Sequence, residues 1–242
     1  ILDDRYFTTL AFVALSPGGE RSFSFARKPG ADTCFRPEEL DSDMLRDTTV
    51  LHVGSLSLTD EPSRSATYEA VAVAKDAGAI ISYDPNYRAS LWNSPDVASE
   101  MMRSIVPYTD VMKFSDDEAE LLTGVNDPDE ALRILASSGV KIAVVTMGAQ
   151  GADFIFGGQI RHVPGFKVPV TDTTGAGDAF WGGFLTCLVS AKKRINELTV
   201  KDVWNFVEFG NAVAACCVQK RGAIPALPDY ETILKFLADT KK

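Results

Sequence analysis

The sequence predicts an α/β fold: a mainly parallel sheet flanked by helices, with a small β-sheet appended at its start. Three features predict it. From residue 37 onward, short apolar strand-like runs alternate with helix-like stretches, the order that builds a parallel sheet covered on both faces. Two strand-like runs precede any helix, and the last third of the chain is helical. No repeat, low-complexity tract or linker interrupts this order, so residues 36–242 read as one domain and residues 1–35 as the appended sheet.

The elements follow in chain order. Residues 7–15, FTTLAFVAL, are rich in β-branched and aromatic types; SPGGE makes a turn and RSFSFA alternates polar with apolar, so the start is a β-hairpin. RPEELDSDMLR is helix-like and precedes the strand TVLHVG. A helix begins after Pro62 and stops at Gly78. AIISYD is a strand, 96–106 a helix and DVMKFS a strand. Helices follow at 116–123 and 128–138, then the strand KIAVVTMG and a second hairpin, ADFIF-GGQ-IRHV. Helices at 176–191, 200–220 and 229–239 complete the chain.

Composition narrows the function. Of 242 residues 45% are apolar and 24% charged, an ordinary globular balance, and the net charge is −9. No block of basic residues occurs, which argues against nucleic acid or an anionic membrane as partner. Any phosphate site is therefore local. No apolar run is long enough to span a bilayer. Cys34, Cys187, Cys216 and Cys217 form no CxxC pair; the adjacent pair lies in an apolar helical pattern, as buried free thiols do, and the usage suits a reducing, cytoplasmic setting. His52 and His162, the two histidines, lie in strand-like runs and read as structural, which leaves no histidine triad or zinc set.

One stretch concentrates chemistry. There is no GxxxxGK[ST], and Phe180 stands where a dinucleotide fingerprint needs its third glycine. What remains is TTGAGD, opening an apolar helix of Phe180, Trp181, Phe184, Leu185, Leu188 and Val189. The N–H groups of Gly175, Ala176, Gly177 and Asp178 converge at such a helix start and suit an anion, and the glycines let it come close. The alternative is an ordinary helix N-terminus capped by Thr174 or Asp178. Ser115 and Glu118 match a capping box on residue type alone.

DTTGAGDAF at 172–180 closely resembles the C-terminal signature of the ribokinase-like (PfkB) carbohydrate kinases. VVTMGAQGA at 144–152 resembles the family's nucleotide strand and loop, and FSDDEAELLTG at 114–124 its segment with a metal-associated glutamate. YDPNYRASLW at 83–92 and GAIPALP at 222–228 are similar to fructokinase wording within it. The resemblance implies a ribokinase-like fold with a β-sheet lid, and ATP-dependent phosphorylation of a sugar hydroxyl, fructose first. 2-Keto-3-deoxygluconate, ribose or a nucleoside are the alternative acceptors, and a non-catalytic scaffold the alternative role.

The resemblance also implies roles. Asp178 is the general base toward the sugar hydroxyl, and Gly175, Ala176 and Gly177 hold charge on the transferred phosphoryl group. Glu118 acts on Mg²⁺ through water. Thr146, Gly148, Gly151 and Asn211 contact ATP, although a strand-to-hairpin turn and a satisfied core amide would account for them equally. Lys113 serves the nucleotide phosphates and Arg88 the substrate, or both are solvated surface residues. Asp32, in KPGAD, touches the sugar or simply makes a turn. Asp172, Thr174 and Gly222 match positions where relatives hold K⁺. The lid, with Phe7, Leu10, Phe12, Phe23 and Phe25, pairs with a second subunit or packs on the main domain. Family members open with a strand, further lid strands and helices carrying a Gly-Gly motif and a sugar-binding aspartate. That segment, roughly two βαβ units, is expected to be missing before Ile1.

Overall fold

The computed structural model describes residues 1–15, 21–27 and 29–240, with backbone alone at 14–15 and 21–23. The SPGGE turn, Lys28 and the Phe23 side chain lie outside the described residues. The chain forms two compact units, Ile1–Val111 with Leu121–Gly124, and Met112–Glu120 with Val125–Lys242.

In the first unit, β1 (Leu10–Leu15) and β2 (Arg21–Ala26) pair antiparallel, from Leu10↔Ala26 to Leu15↔Arg21. The expected hairpin is present, and Leu10 and Phe12 on it are more than half exposed. The 36–46 stretch departs from expectation. It is a 3-10 turn, Pro37–Glu39, followed by the short helix α1 (Ser42–Asp47). Asp41 breaks it, because its side chain accepts from the Met44 N–H at 2.9 Å and starts a new helix there. β3 (Val50–Gly54) leads into α2 (Ser63–Asp76), which buries Ala66, Ala70, Val71 and Ala74 on one face. β4 (Ile80–Asp84) lies parallel to β3, from Val50↔Ile80 to Gly54↔Asp84. α3 (Pro95–Ile105) starts at Ser94, whose hydroxyl accepts from Val97 N–H, and buries Ala98, Met102 and Ile105. Leu58, Ile81, Tyr83, Met102 and Ile105 are fully buried.

β5 (Val111–Ser115) and α4 (Ala119–Thr123) run across the division. In the second unit α5 (Pro128–Ser137) is capped by the Asp127 carboxylate, which accepts from Glu130 N–H at 2.8 Å. β6 (Ile142–Thr146), β7 (Gly151–Phe156) and β8 (Gln159–Pro164) pair antiparallel in succession. The sheet is thus mixed, with β3 and β4 parallel and β6, β7 and β8 antiparallel.

α6 (Ala176–Ser190) and α7 (Val200–Cys217) pack closely because glycines leave room. A Cβ on Gly210 would stand 2.8 Å from the Phe180 carbonyl oxygen, and one on Gly183 would stand 2.7 Å from Val213. α6 is buried through Phe180, Trp181, Phe184 and Leu188, but Val189 is 44% exposed, so its last turn is not wrapped as the pattern suggested. α7 stops at Cys217 rather than 220, since the Val218 carbonyl accepts from Thr171 and Asp172 N–H instead. α8 (Tyr230–Thr240) closes a cluster with Ala179, Phe209, Ala212, Cys217 and Ile233. The four cysteines are free, with Cys216 and Cys217 buried as expected. Both histidines sit in strands: His52 bonds Ser82 at 2.9 Å and His162 bonds Asp153 at 2.6 Å.

Candidate active site

The start of α6 is held open by its own backbone. Gly175 adopts φ +76°, and a Cβ there would stand 2.9 Å from that of Ala223, so only glycine fits without strain. No side chain caps this helix. Thr174, one candidate cap, instead turns its hydroxyl to Asp172 Oδ1 at 2.7 Å. Asp178 is exposed in the first turn and does not cap it either. One expectation needs correcting. The Ala176 N–H points back to the Thr173 carbonyl at 3.2 Å, leaving Gly177 and Asp178 as the next donors at the helix start.

The loop before α6 is tied to the end of α7. Asp172 Oδ1 accepts from Thr174 N–H at 2.9 Å, and Oδ2 accepts from Gly222 N–H at 3.0 Å. The three residues expected to share a cation are therefore together, joined by hydrogen bonds. The Cys217 thiol lies 4.0 Å from the Thr174 carbonyl. Burial, reinforced by the Asp172 and Asp178 charges, pushes that thiol up from its ordinary pKa, so it stays protonated.

Lys113, on β5, is only 6% exposed. Its Nζ lies 3.1 Å from where a Gly177 Cβ would be. A buried ammonium is thus packed against the positive end of a fifteen-residue helix. A helix N-terminus beside a lysine is a place that suits an anion. Nearby, Glu118 is buried and its Oε2 accepts from Ser115 N–H at 2.8 Å and Oγ–H at 3.0 Å. The capping interaction is therefore real, whatever else Glu118 does.

A cavity of about 440 Å³ opens beside this turn, within the usual size of a small-molecule site. Thr146, Gly148, Gly151, Ala176, Gly177 and Asn211 all line it. Thr146 Oγ1 donates to the Phe114 carbonyl at 3.3 Å. Gly151 has φ +103°, and a Cβ would stand 2.2 Å from the Val163 carbonyl oxygen. Asn211 is a satisfied amide as well as a lining residue, because its Nδ2 donates to the Val163 and Pro164 carbonyls at 3.1 and 3.2 Å. Sequence reasoning missed Ala214 and Ala215, which share the Asn211 face of α7, and Val218 directly after it, all of which also line the cavity. Their spacing of three, four and seven from Asn211 was the available signal.

Arg88 and Asp32 lie in the first unit. Arg88 is half-buried and one guanidinium nitrogen donates to the Tyr87 carbonyl at 2.9 Å. Asp32 accepts from Arg27 Nε at 2.8 Å and from the Thr9 hydroxyl. Among the described residues no cluster of three His, Cys, Asp or Glu side chains could hold a metal ion, and no helix is long and apolar enough to cross a membrane.

The profile of the pfkB family carbohydrate kinases matches residues 2–230. The chain belongs to the pfkB family of carbohydrate kinases. This pfkB kinase is 42% identical over 242 residues to a probable fructokinase-3 of Arabidopsis thaliana, covering 99% of the chain and 69% of that relative. It is similar in structure to a fructokinase with bound ATP from Xylella fastidiosa, with TM-score 0.91 and 31% identity over 99% of this chain and 76% of that one. It is also similar to a fructokinase from Vibrio cholerae O395 in a fructose, ADP and calcium bound form, with TM-score 0.84 and 33% identity, covering 94% and 73%. The ribokinase-like α/β fold and the sugar-kinase activity class expected from the sequence follow from this membership.

Proposed function

We propose that this pfkB kinase transfers the terminal phosphoryl group of ATP to a hydroxyl of fructose. The observation that carries the proposal is the uncapped start of α6 with the Lys113 ammonium packed against it, beside a cavity of about 440 Å³. The Arabidopsis relative is named a fructokinase, and the Xylella and Vibrio fructokinases bind ATP, fructose or ADP.

In this reading ATP occupies the cavity, its base among the small residues near Asn211 and its phosphates toward Gly177. Asp178 takes the proton from the attacking hydroxyl. The hydroxyl oxygen bonds to the γ-phosphorus as the bond to the β-phosphate bridge breaks, and ADP leaves. Helix N–H groups and Lys113 steady the negative charge throughout, a task of positioning and electrostatics rather than covalent help. Mg²⁺ would neutralise the phosphates. A hard cation of this kind keeps most of its waters and needs one or two carboxylates at most; Glu118 fits as the residue that orients those waters. Asp172, Thr174 and Gly222 are the proposed K⁺ loop. Arg88 and Asp32 are proposed for the sugar side.

Residues 1–35 serve as the lid, and its exposed Leu10 and Phe12 pair with a second copy. Light scattering at micromolar concentration should show a dimer; monomer alone would reject the pairing. Four free cysteines suit a cytoplasmic enzyme.

The test is ADP formation by the purified protein against fructose, 2-keto-3-deoxygluconate, ribose and adenosine. The highest kcat/KM is expected on fructose. A higher value on another acceptor would move the assignment to that substrate, and nucleotide binding with no acceptor phosphorylated would overturn catalysis altogether.

A further inference from the structure

Arg27 is a charged side chain only 6% exposed, and it stands directly after β2. Its guanidinium donates in three directions. Nε reaches Asp32 Oδ2 at 2.8 Å, Nη1 reaches Thr59 Oγ1 at 2.8 Å, and Nη2 reaches the Leu56 carbonyl at 2.7 Å. The far side of the Asp32 carboxylate accepts from the hydroxyl of Thr9, the residue directly before β1. Both roots of the hairpin therefore meet at one ion pair. Residues 56 and 59 flank the end of the 3-10 turn Ser55–Leu58 that follows β3, so the same guanidinium joins the hairpin to the sheet-bearing part of its unit.

The surrounding backbone agrees. Phe7 and Gly30 form a parallel bridge, and Ala31 N–H donates to the Phe7 carbonyl at 2.9 Å. A Cβ on Gly30 would stand 2.1 Å from Thr9 Oγ1 and 2.7 Å from Asp32 Oδ1, so the cluster occupies the space a side chain would need. Burial alone would raise the Asp32 pKa, but the hydrogen bonds from Thr9 and Arg27 outweigh it and hold the carboxyl below its ordinary value. A planar fork with several fixed donors suits this post; a lysine offers one point charge.

We propose that Arg27 is the positioning residue that anchors the hairpin, and that the position it fixes governs sugar binding. The proposal rests on the kinase reading above. Asp32 then acts through Arg27 and Thr9.

The test compares Arg27→Met, Arg27→Lys and Thr59→Val with the parent protein, each checked for native circular dichroism. Sugar KM should rise roughly tenfold in Arg27→Met, only partly recover in Arg27→Lys, and rise less in Thr59→Val, the span that contacting pairs show in mutant cycles. ATP KM should stay within about twofold of the parent. Amide exchange in β1 and β2 should quicken by about tenfold, with α6 and α7 unchanged. Asp32→Asn should add little once Arg27 is Met. Unchanged sugar KM and unchanged hairpin exchange in folded Arg27→Met would overturn the anchor, as would equal rises in both KM values with normal exchange. If the parent phosphorylates no sugar, the kinase reading fails, and hairpin exchange alone then decides the anchor. Should Arg27→Met not fold, Thr59→Val carries the same comparison.

Discussion

Asp178→Asn separates chemistry from architecture. The amide keeps the shape of the carboxyl and removes both its charge and its basicity. Asp178 is exposed, lies in the first turn of α6 and carries none of its capping. Its contribution to stability is therefore the helix-end charge effect at an exposed site, which for a chain of 242 residues amounts to about 1–3 °C of Tm. Loss of a general base costs far more, on the order of 10²–10⁴ in turnover. The two effects differ so much that one protein preparation reads both. Thermal unfolding gives the first. ADP release at saturating ATP and fructose gives the second, and calorimetry with ATP should find Kd within about threefold of the parent, since Lys113 and the helix N–H groups stay in place. A variant that keeps kcat within about threefold, at unaltered Tm, would refute Asp178 as the base.

Other substitutions probe neighbouring parts. Gly151→Ala forces a left-handed residue and a methyl group into the Val163 carbonyl 2.2 Å away; it should cost more than about 2 kcal/mol in denaturant unfolding and abolish ATP binding. Glu118→Gln keeps an oxygen to accept from Ser115, so folding should be near normal while the Mg²⁺ concentration for half-maximal rate rises roughly tenfold; an unchanged Mg²⁺ curve would reject the metal role. Replacing K⁺ by choline should lower kcat severalfold if the Asp172 loop holds a monovalent cation, and equal rates in the two salts would reject that site.

Local chemistry was legible in the sequence. Strand and helix order followed from apolar runs and breakers, and TTGAGD marked a helix start that lacks a side-chain cap. Where local signals competed, the outcome was less certain. Asp41 converted one helix into a turn and a helix, and neither periodicity nor composition ranks a cap against a continuing apolar pattern. Long-range partners were beyond reach. Nothing near residue 113 announces that its ammonium will meet Gly177, sixty-four positions on, and a buried Arg27 finding Thr59 and Leu56 is equally invisible in a stretch that reads as turn. Asn211 shows the remaining ambiguity. A polar residue in a small-residue helix suits a core amide and a ligand wall alike, and the fold makes it both.

The glycine contacts between α6 and α7 have a mechanical corollary. With Phe180 seated on Gly210 and Val213 on Gly183, neither rod can slip lengthwise past the other without a backbone collision. The register of α6 against α7 is thus set by contact at two glycines and not by the loop that joins the helices.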